Sequence, residues 1–266
     1  YWGWKEDDIL LHTLPIFHVH GLFVALNCAI LNASKVIFLD SFDSKRVVSE
    51  LPNTTVMMGV PTYYVRLLDE PSFNKAVCQN MRLFISGSAP LLSDTFNLFE
   101  ERTGMRILER YGMSETSMIT SNPYFGQRIA GTVGFFLPSI KGRIVNEKGE
   151  VAANGEVGIL ETKGPNVFKG YWQKPEKTKS EFTQDGYFIT GDMASMDFDG
   201  RITIVGREKD LIISGGYNVY PKEVEIVLDM IKFIKESCVI GLPHSDFGEA
   251  VTALLCLLYT SDAADE

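Results

Sequence analysis

The sequence predicts an α/β protein: a mostly parallel sheet flanked by helices, then a small antiparallel β-barrel, then the start of a small α+β C-terminal domain. Three observations carry this. Over about the first 130 residues, apolar runs of strand length alternate with amphipathic segments of helix length. From about Gly131 to Gly206 the runs shorten and turn residues crowd between them. From Gly206 onward come a short apolar run, a Gly-Gly pair and a proline-led amphipathic segment. Strand–turn–helix repeats favour parallel sheets, because each helix crosses back over the sheet face to reach the next strand.

The elements follow in order. Val36 to Leu39 and Thr55 to Met58 are short apolar strands. Pro61 stands where a helix tolerates a missing N–H, and Tyr64, Leu67 and Leu68 then recur at helical spacing. Arg82 to Ile85 is a third strand, closed by the small-residue turn SGSAP. A helix runs from about Ser93 to Arg102 with Phe96 and Phe99 on one face and Gly104 as its stop. Ile107 to Arg110 returns to strand. In the middle region, Lys148-Gly149 and Asp199-Gly200 sit between strand-like runs and mark hairpins of a small barrel or sandwich. In the third region DLIIS is a strand, Gly215-Gly216 a turn and Pro221 a helix start, with Val224, Val227, Leu228 and Ile231 on one face. Strands near Cys238 to Leu242 and Ala250 to Leu255 complete it.

The expected domains are 1–130 (α/β), 131–206 (β-rich), a hinge at 207–209, and 210–255 as part of a C-terminal domain. The tail 256–266 shows no periodicity continuing the last strand and resembles translated sequencing adapter, so it is expected to be non-native. Residue 1 is not Met, and the chain is expected to begin inside a longer one.

Composition narrows the function classes. The 266 residues are 45% hydrophobic and 22% charged, with a formal charge of −9 and no basic stretch interleaved with aromatics, which argues against a nucleic-acid groove. The four cysteines form no C-x-x-C pair, so neither a zinc site nor a disulfide framework is indicated, and a reducing, cytoplasmic compartment fits (an organellar matrix would fit equally). The longest apolar stretch, Gly21 to Leu31, is interrupted by Asn27 and falls short of the roughly 20 residues a membrane span needs.

Four short motifs carry possible chemistry. YGMSET, Tyr111 to Thr116, follows a strand and so lies where open α/β sheets bind ligands. Its adjacent carboxylate and hydroxyl suit a phosphate bridged by Mg²⁺; they suit a capped helix N-terminus as well. SGSAP, Ser86 to Pro90, could lay a flat ring against backbone or simply form a tight turn. GYFITGD ends in Asp192, which could accept both hydroxyls of a ribose or serve as a turn acid. GREKD, Gly206 to Asp210, is either a solvated linker or a hinge whose Arg207 reaches a nucleotide. A fifth segment, SMDFDG at Ser195 to Gly200, is better explained by its Asp-Gly hairpin than as a calcium loop. The twelfth position from Ser195 is Gly206 where such a loop needs Glu.

Together with GPNVFKGYW (Gly164 to Trp172) and GGYNVYPKEVE (Gly215 to Glu225), these motifs resemble, in order and spacing, the acyl-CoA synthetase and adenylation-domain superfamily, from about Leu14 to Leu255. Within it, PIFHVHGLF, GVPTYYVRLL, LERYGMSET and GYWQKPEKTKSEF look most like malonyl-CoA synthetases. The resemblance implies a partial adenylate-forming fold. It also implies a ligase that makes an acyl-adenylate from ATP and a carboxylic acid, then an acyl-CoA, with ATP, Mg²⁺ and coenzyme A as its cofactors and co-substrates. By the same resemblance Gly87, Ser88, Ala89, Tyr111 and Gly112 line the adenine site, Thr116 contacts the α-phosphate and Glu115 holds Mg²⁺. Asp192 and Arg207 bind ribose, Lys209 is the hinge, and Gly215 and Gly216 flank the CoA path.

Arg110 and Met113 would face the acid, and a guanidinium at 110 would pair with a second carboxylate, unless it pairs with Glu109 or Glu101. His18 and His20 form an H-x-H on an expected strand end. The resemblance makes His18 a pocket wall and a candidate catalytic residue; the spacing alone could chelate a metal, though no third ligand stands near in sequence. The superfamily's Ser/Thr/Gly-rich phosphate loop and its late lysine find no match, the last lysine being Lys235, so the chain alone is expected to be inactive. The alternatives are a synthetase for another small or aromatic acid, and a non-catalytic nucleotide-binding protein.

Overall fold

A computed structural model describes residues 1–257. They divide into two compact units, 1–143 with 161–189 and 196–203, and 144–160 with 190–195 and 204 onward.

The first unit is organised on a seven-stranded sheet of order β2-β1-β3-β4-β5-β6-β7. Its strands are β1 (Ile9–His12), β2 (Lys35–Phe38), β3 (Val56–Gly59), β4 (Leu83–Ser86), β5 (Leu108–Met113), β6 (Ser117–Ser121) and β7 (Phe135–Phe136). The five strands from β2 to β5 pair in parallel, and β5-β6-β7 in antiparallel fashion. Strand alternation feeds two cores, one per face. Leu11, Met57, Phe84 and Ile107 join one, with Tyr64, Phe96 and Phe99 from the helices Pro61–Leu68 and Ser93–Thr103. Leu10, Val56, Met58, Leu83, Ile85 and Leu108 join the other, with Val24, Ala25 and Ala29. Those last three come from a helix that runs as a π-helical segment over His20–Leu26 and continues as an α-helix over Asn27–Leu31.

Most expected elements are present within a residue or two. Pro61 is the first residue of its helix, and Gly104 ends the helix Ser93–Thr103 at φ +75°, where a side chain would be strained. Strand β1, the helix His20–Leu31 and the helix Ser44–Glu50 were not foreseen. The expected strand around His18 and His20 is corrected: β1 ends at His12, and His20 opens the helix. The alternative of a helix at Ser114 is also corrected. Ser114 to Thr116 turn the chain from β5 into β6, Thr116 N–H donating to the Met113 carbonyl at 3.2 Å.

The β-rich middle contributes β8 (Lys141–Val145), β9 (Gly158–Lys163), β10 (Phe188–Met196) and β11 (Ile202–Arg207), in the order β11-β10-β9-β8. Asp197 Oδ1 accepts from the N–H of Asp199 and of Arg201, an Asx-type turn that accounts for SMDFDG without a cation.

The second unit holds β12 (Ile212–Ser214), β13 (Tyr217–Val219), β14 (Ile234–His244) and β15 (Gly248–Leu257) in the order β13-β12-β15-β14, with a helix over Pro221–Asp229. Strand β15 is longer than expected. Cys256 and Leu257, assigned above to a non-native tail, pair with Glu236 and Ile234. The rest of that tail, 258–266, lies outside the described residues.

Candidate active site

The register of β4 against β5 pairs Ile85 with Leu108 and Ser86 with Glu109, which sets Gly87 beside Arg110. Alternation then decides what each side chain meets. Arg110 shares the face of Leu108 and Glu109 that of Ile107, so the expected alternative of an Arg110–Glu109 ion pair does not form. Among the described residues Arg110 is in no ion pair at all, with Glu101 or any other acid.

Arg110 is 3% exposed, and its Nε and Nη2 have no hydrogen-bond acceptor. Its guanidinium lies over Gly87, where a Cβ would stand 2.5 Å from Arg110 Cζ and 2.8 Å from Nε. Burial lowers the Arg110 pKa to about 10, which still leaves it charged at neutral pH. A buried cation with unused donors is costly unless an anion completes it. A carboxylate has the matching shape, since it accepts two parallel N–H bonds.

His20 stands on the same side. It is buried, its Nδ1 lies 3.1 Å from Ser88 Oγ, and its Nε2 is unpartnered. Burial, then the charges of Arg110 and His12, push its pKa down to about 2, so the imidazole is neutral. His18, the predicted pocket wall, is exposed on the loop before the helix, its ring centre 4.6 Å from that of Phe17 and tilted 47° to it. The signal for His20 was its position: His20, Gly21, Val24 and Ala25 form the buried stripe of the helix. Ser88 itself has φ +72°, a left-handed conformation uncommon for serine, at the turn leaving β4. Ala89 is exposed in that turn.

Tyr111, Gly112 and Met113 continue β5 with partial exposure. Gly112 has no room for a side chain, because a Cβ would strike the Ser117 carbonyl and come within 2.6 Å of Met118 Cε. Thr116 is fully buried, its Oγ1 3.4 Å from the Met113 N–H. Glu115 is half-buried, and its Oε1 accepts from the Tyr171 phenol at 3.1 Å. Neither Tyr171 nor its second partner, Glu181, was singled out as a site residue, although Tyr171 falls inside GPNVFKGYW.

Glu115 gives a hard carboxylate oxygen, and among the described residues no cluster of three His, Cys, Asp or Glu could cage a metal. One carboxylate suits Mg²⁺, which takes its remaining positions from phosphate oxygens and water. The donor set therefore fits Mg²⁺ brought with a nucleotide and does not fit a resident transition metal.

The second unit carries the other predicted residues. Asp192 is buried and pairs with Arg207, Oδ1 to Nε at 2.7 Å, while the guanidinium stays half-exposed. Lys209 is exposed in the 3₁₀ turn Glu208–Asp210. Gly215 and Gly216, at φ +57° and +84°, make the turn between β12 and β13 that a side chain would strain.

The sequence pattern of the AMP-binding enzyme family matches residues 1–172. The chain is 41% identical over 278 residues to a malonate–CoA ligase of Arabidopsis thaliana, covering 96% of this chain and 45% of the relative. It is 39% identical over 264 residues to a long-chain-fatty-acid–CoA ligase of Bacillus subtilis, covering 96% of this chain and 47% of the relative. Among solved structures, ATP-bound MatB from Rhodopseudomonas palustris superposes with a TM-score of 0.94 at 53% identity, over 96% of this chain and 51% of that one. The chain thus spans about half the length of the curated relatives it matches.

Proposed function

The chain belongs to the AMP-binding enzyme family, and from that premise we propose that the intact protein is an ATP-dependent acid–CoA ligase whose acid is malonate. The buried, unpaired guanidinium of Arg110 carries the substrate reading. In the first half-reaction one malonate oxygen attacks the α-phosphorus of ATP and pyrophosphate leaves. In the second, the CoA thiol, giving up its proton, attacks the acyl carbon and AMP leaves.

Arg110 grips the distal carboxylate, with neutral His20 beside it adding no second charge. Met113 completes the acid pocket. Tyr111 stacks on adenine, and Gly87, Ser88, Ala89 and Gly112 line that site. Thr116 donates to the α-phosphate, where negative charge builds during attack and a fixed donor needs no reorganisation. Glu115 would hold Mg²⁺, which would supply charge neutralisation on the phosphate oxygens. Asp192 binds the ribose hydroxyls with Arg207 beside it, Lys209 is the hinge for rotation between half-reactions, and Gly215 and Gly216 pass the pantetheine arm.

The reading keeps the three sequence domains, 1–130, 131–206 and 210–255, with the hinge at 207–209. It also holds that the chain in isolation is inactive, because its sequence has no phosphate loop and no lysine beyond Lys235; pyrophosphate exchange by the isolated chain refutes that. All four cysteines are free, and among the described residues no helix is long and apolar enough to cross a membrane. Unpaired cysteines suit the cytoplasm or an organellar matrix as the compartment.

The similarity to a long-chain ligase supports a second reading, a monocarboxylate substrate, against which a buried charge under the acyl group argues. Arg110→Ala in the intact protein decides between them in a thioester-formation panel. Malonate kcat/KM falls about 10–100-fold, the worth of a hydrogen bond to a charged group, while propionate gains on it. Malonate still preferred by the variant overturns the assignment.

A further inference from the structure

The segment GPNVFKGYW, Gly164 to Trp172, has no part in the steps above, yet it is tied closely to Glu115. Phe168 N–H donates to the Glu115 carbonyl at 2.8 Å. Asn166 Nδ2 donates to the carbonyls of Thr116 and Met118 at 2.7 and 2.9 Å. Tyr171 N–H donates to Thr178 Oγ1 at 2.9 Å, and Gly170, at φ +141°, leaves room for Thr178, whose Cγ2 would be 2.6 Å from a Cβ. These ties aim one group, the Tyr171 phenol, between two carboxylates: Glu115 Oε1 at 3.1 Å and Glu181 Oε2 at 3.0 Å. Lys177 Nζ lies 3.6 Å from Glu181 and 4.5 Å from the centre of the Tyr171 ring.

A phenol has one proton to give, so it bonds strongly to one of the two acids at a time. We propose that Tyr171 is a positioning residue that holds the Glu115 carboxylate ready for Mg²⁺ and turns its O–H to Glu181 when the cation arrives. This rests on the reading that Glu115 takes the Mg²⁺. A cation draws electron density from the Glu115 oxygens and weakens them as acceptors. Glu181 then becomes the better acceptor, with Lys177 offsetting its charge. No covalent bond breaks: the O–H rotates. A phenol's ordinary pKa of about 10 keeps the proton on Tyr171 at neutral pH.

The test uses Tyr171→Phe, Glu181→Gln and Glu115→Gln in the intact protein with two readouts. One is Mn²⁺ binding to the ATP complex, followed by the paramagnetic resonance of free Mn²⁺. The other is the Mg²⁺ dependence of pyrophosphate exchange. Tyr171→Phe weakens Mn²⁺ binding about tenfold, the low end for a group that orients a metal ligand, and raises the Mg²⁺ half-saturation by more than it lowers kcat. Glu181→Gln shifts both the same way by less, because the phenol loses its second anion and stays on Glu115. Unchanged Mn²⁺ affinity in Tyr171→Phe, with Glu115→Gln weakened, overturns the proposal and leaves Tyr171 a packing residue. Unchanged affinity in Glu115→Gln overturns the Mg²⁺ reading itself. If Tyr171→Phe does not fold, Glu181→Gln decides, and unchanged Mn²⁺ affinity there counts against the proposal.

Discussion

Replacing Gly87 with alanine tests the acid pocket without touching a charge. The new Cβ would lie 2.5 Å from Arg110 Cζ and 2.8 Å from Nε, against roughly 3.5–4.0 Å for comfortable contact between carbon atoms. The guanidinium must therefore move by about 1 Å, because it is the free end of its side chain and the backbone at 87 is fixed by the Gly87 N–H bond to the Gly59 carbonyl. Overpacking of this kind costs about 1–3 kcal/mol of stability. The larger effect falls on the acid. A displaced guanidinium loses a charged hydrogen bond of about 1.5–3 kcal/mol, or about one to two decades in binding. Rates of CoA thiol consumption with malonate and with propionate measure this. Malonate kcat/KM falls about 10–100-fold, and the loss for propionate is several times smaller. In an Arg110→Ala background the same change has no further effect on malonate, since the two residues act as one unit. An unchanged malonate preference refutes the reasoning, and so does an equal loss for both acids, which would place the damage in the adenine site.

Two further predictions concern stability. Burial pushes the Glu109 carboxyl up to about 8, only partly offset by the Gly131 N–H it accepts. The folded state then holds a proton that the unfolded chain has released above its ordinary carboxylate value, so stability falls as pH rises from the unfolded pKa to about 8. The ceiling on that loss is about 5 kcal/mol at 1.36 kcal/mol per pKa unit. Denaturant titrations of Glu109→Gln across this range come out flatter than those of the natural chain, and equal slopes would contradict the buried-acid account. Asp8 behaves in the opposite sense. Burial pushes its carboxyl up, but Arg82, Thr55 and the Lys5 N–H together hold it below the usual range. Its contribution is therefore present above the unfolded pKa and lost as pH falls through the acid range. Asp8→Asn leaves Arg82 half-buried without its partner and costs about 3–5 kcal/mol at pH 7 by urea unfolding; a cost under 1 kcal/mol would show the pair to be solvent-compensated.

Much of the scaffold was legible because its signals are local. Pro61 and Pro221 open helices, Gly104 closes one, and the apolar runs at β2 to β5 mark strands whatever surrounds them. The hairpin at Ser114 to Thr116 was ambiguous for a physical reason: the small polar residues that cap a helix also make a tight turn, and only pairing of β5 with β6 chose between them. Strand β1 and the helix beginning at His20 carried no such punctuation.

The sequence by itself determined the order of motifs, and with it the family and the parallel sheet, and it singled out Arg110, Glu115 and Thr116 as candidates for the chemistry. Tertiary structure alone decided which of two histidines is buried, that Arg110 faces Gly87 and, among the described residues, no acid, and that Tyr171 reaches Glu115 from 56 residues away. The difference is one of range. Propensity, capping and turn chemistry act over a few residues, whereas burial and the pairing of charges depend on which face of a strand or helix the folded chain turns inward.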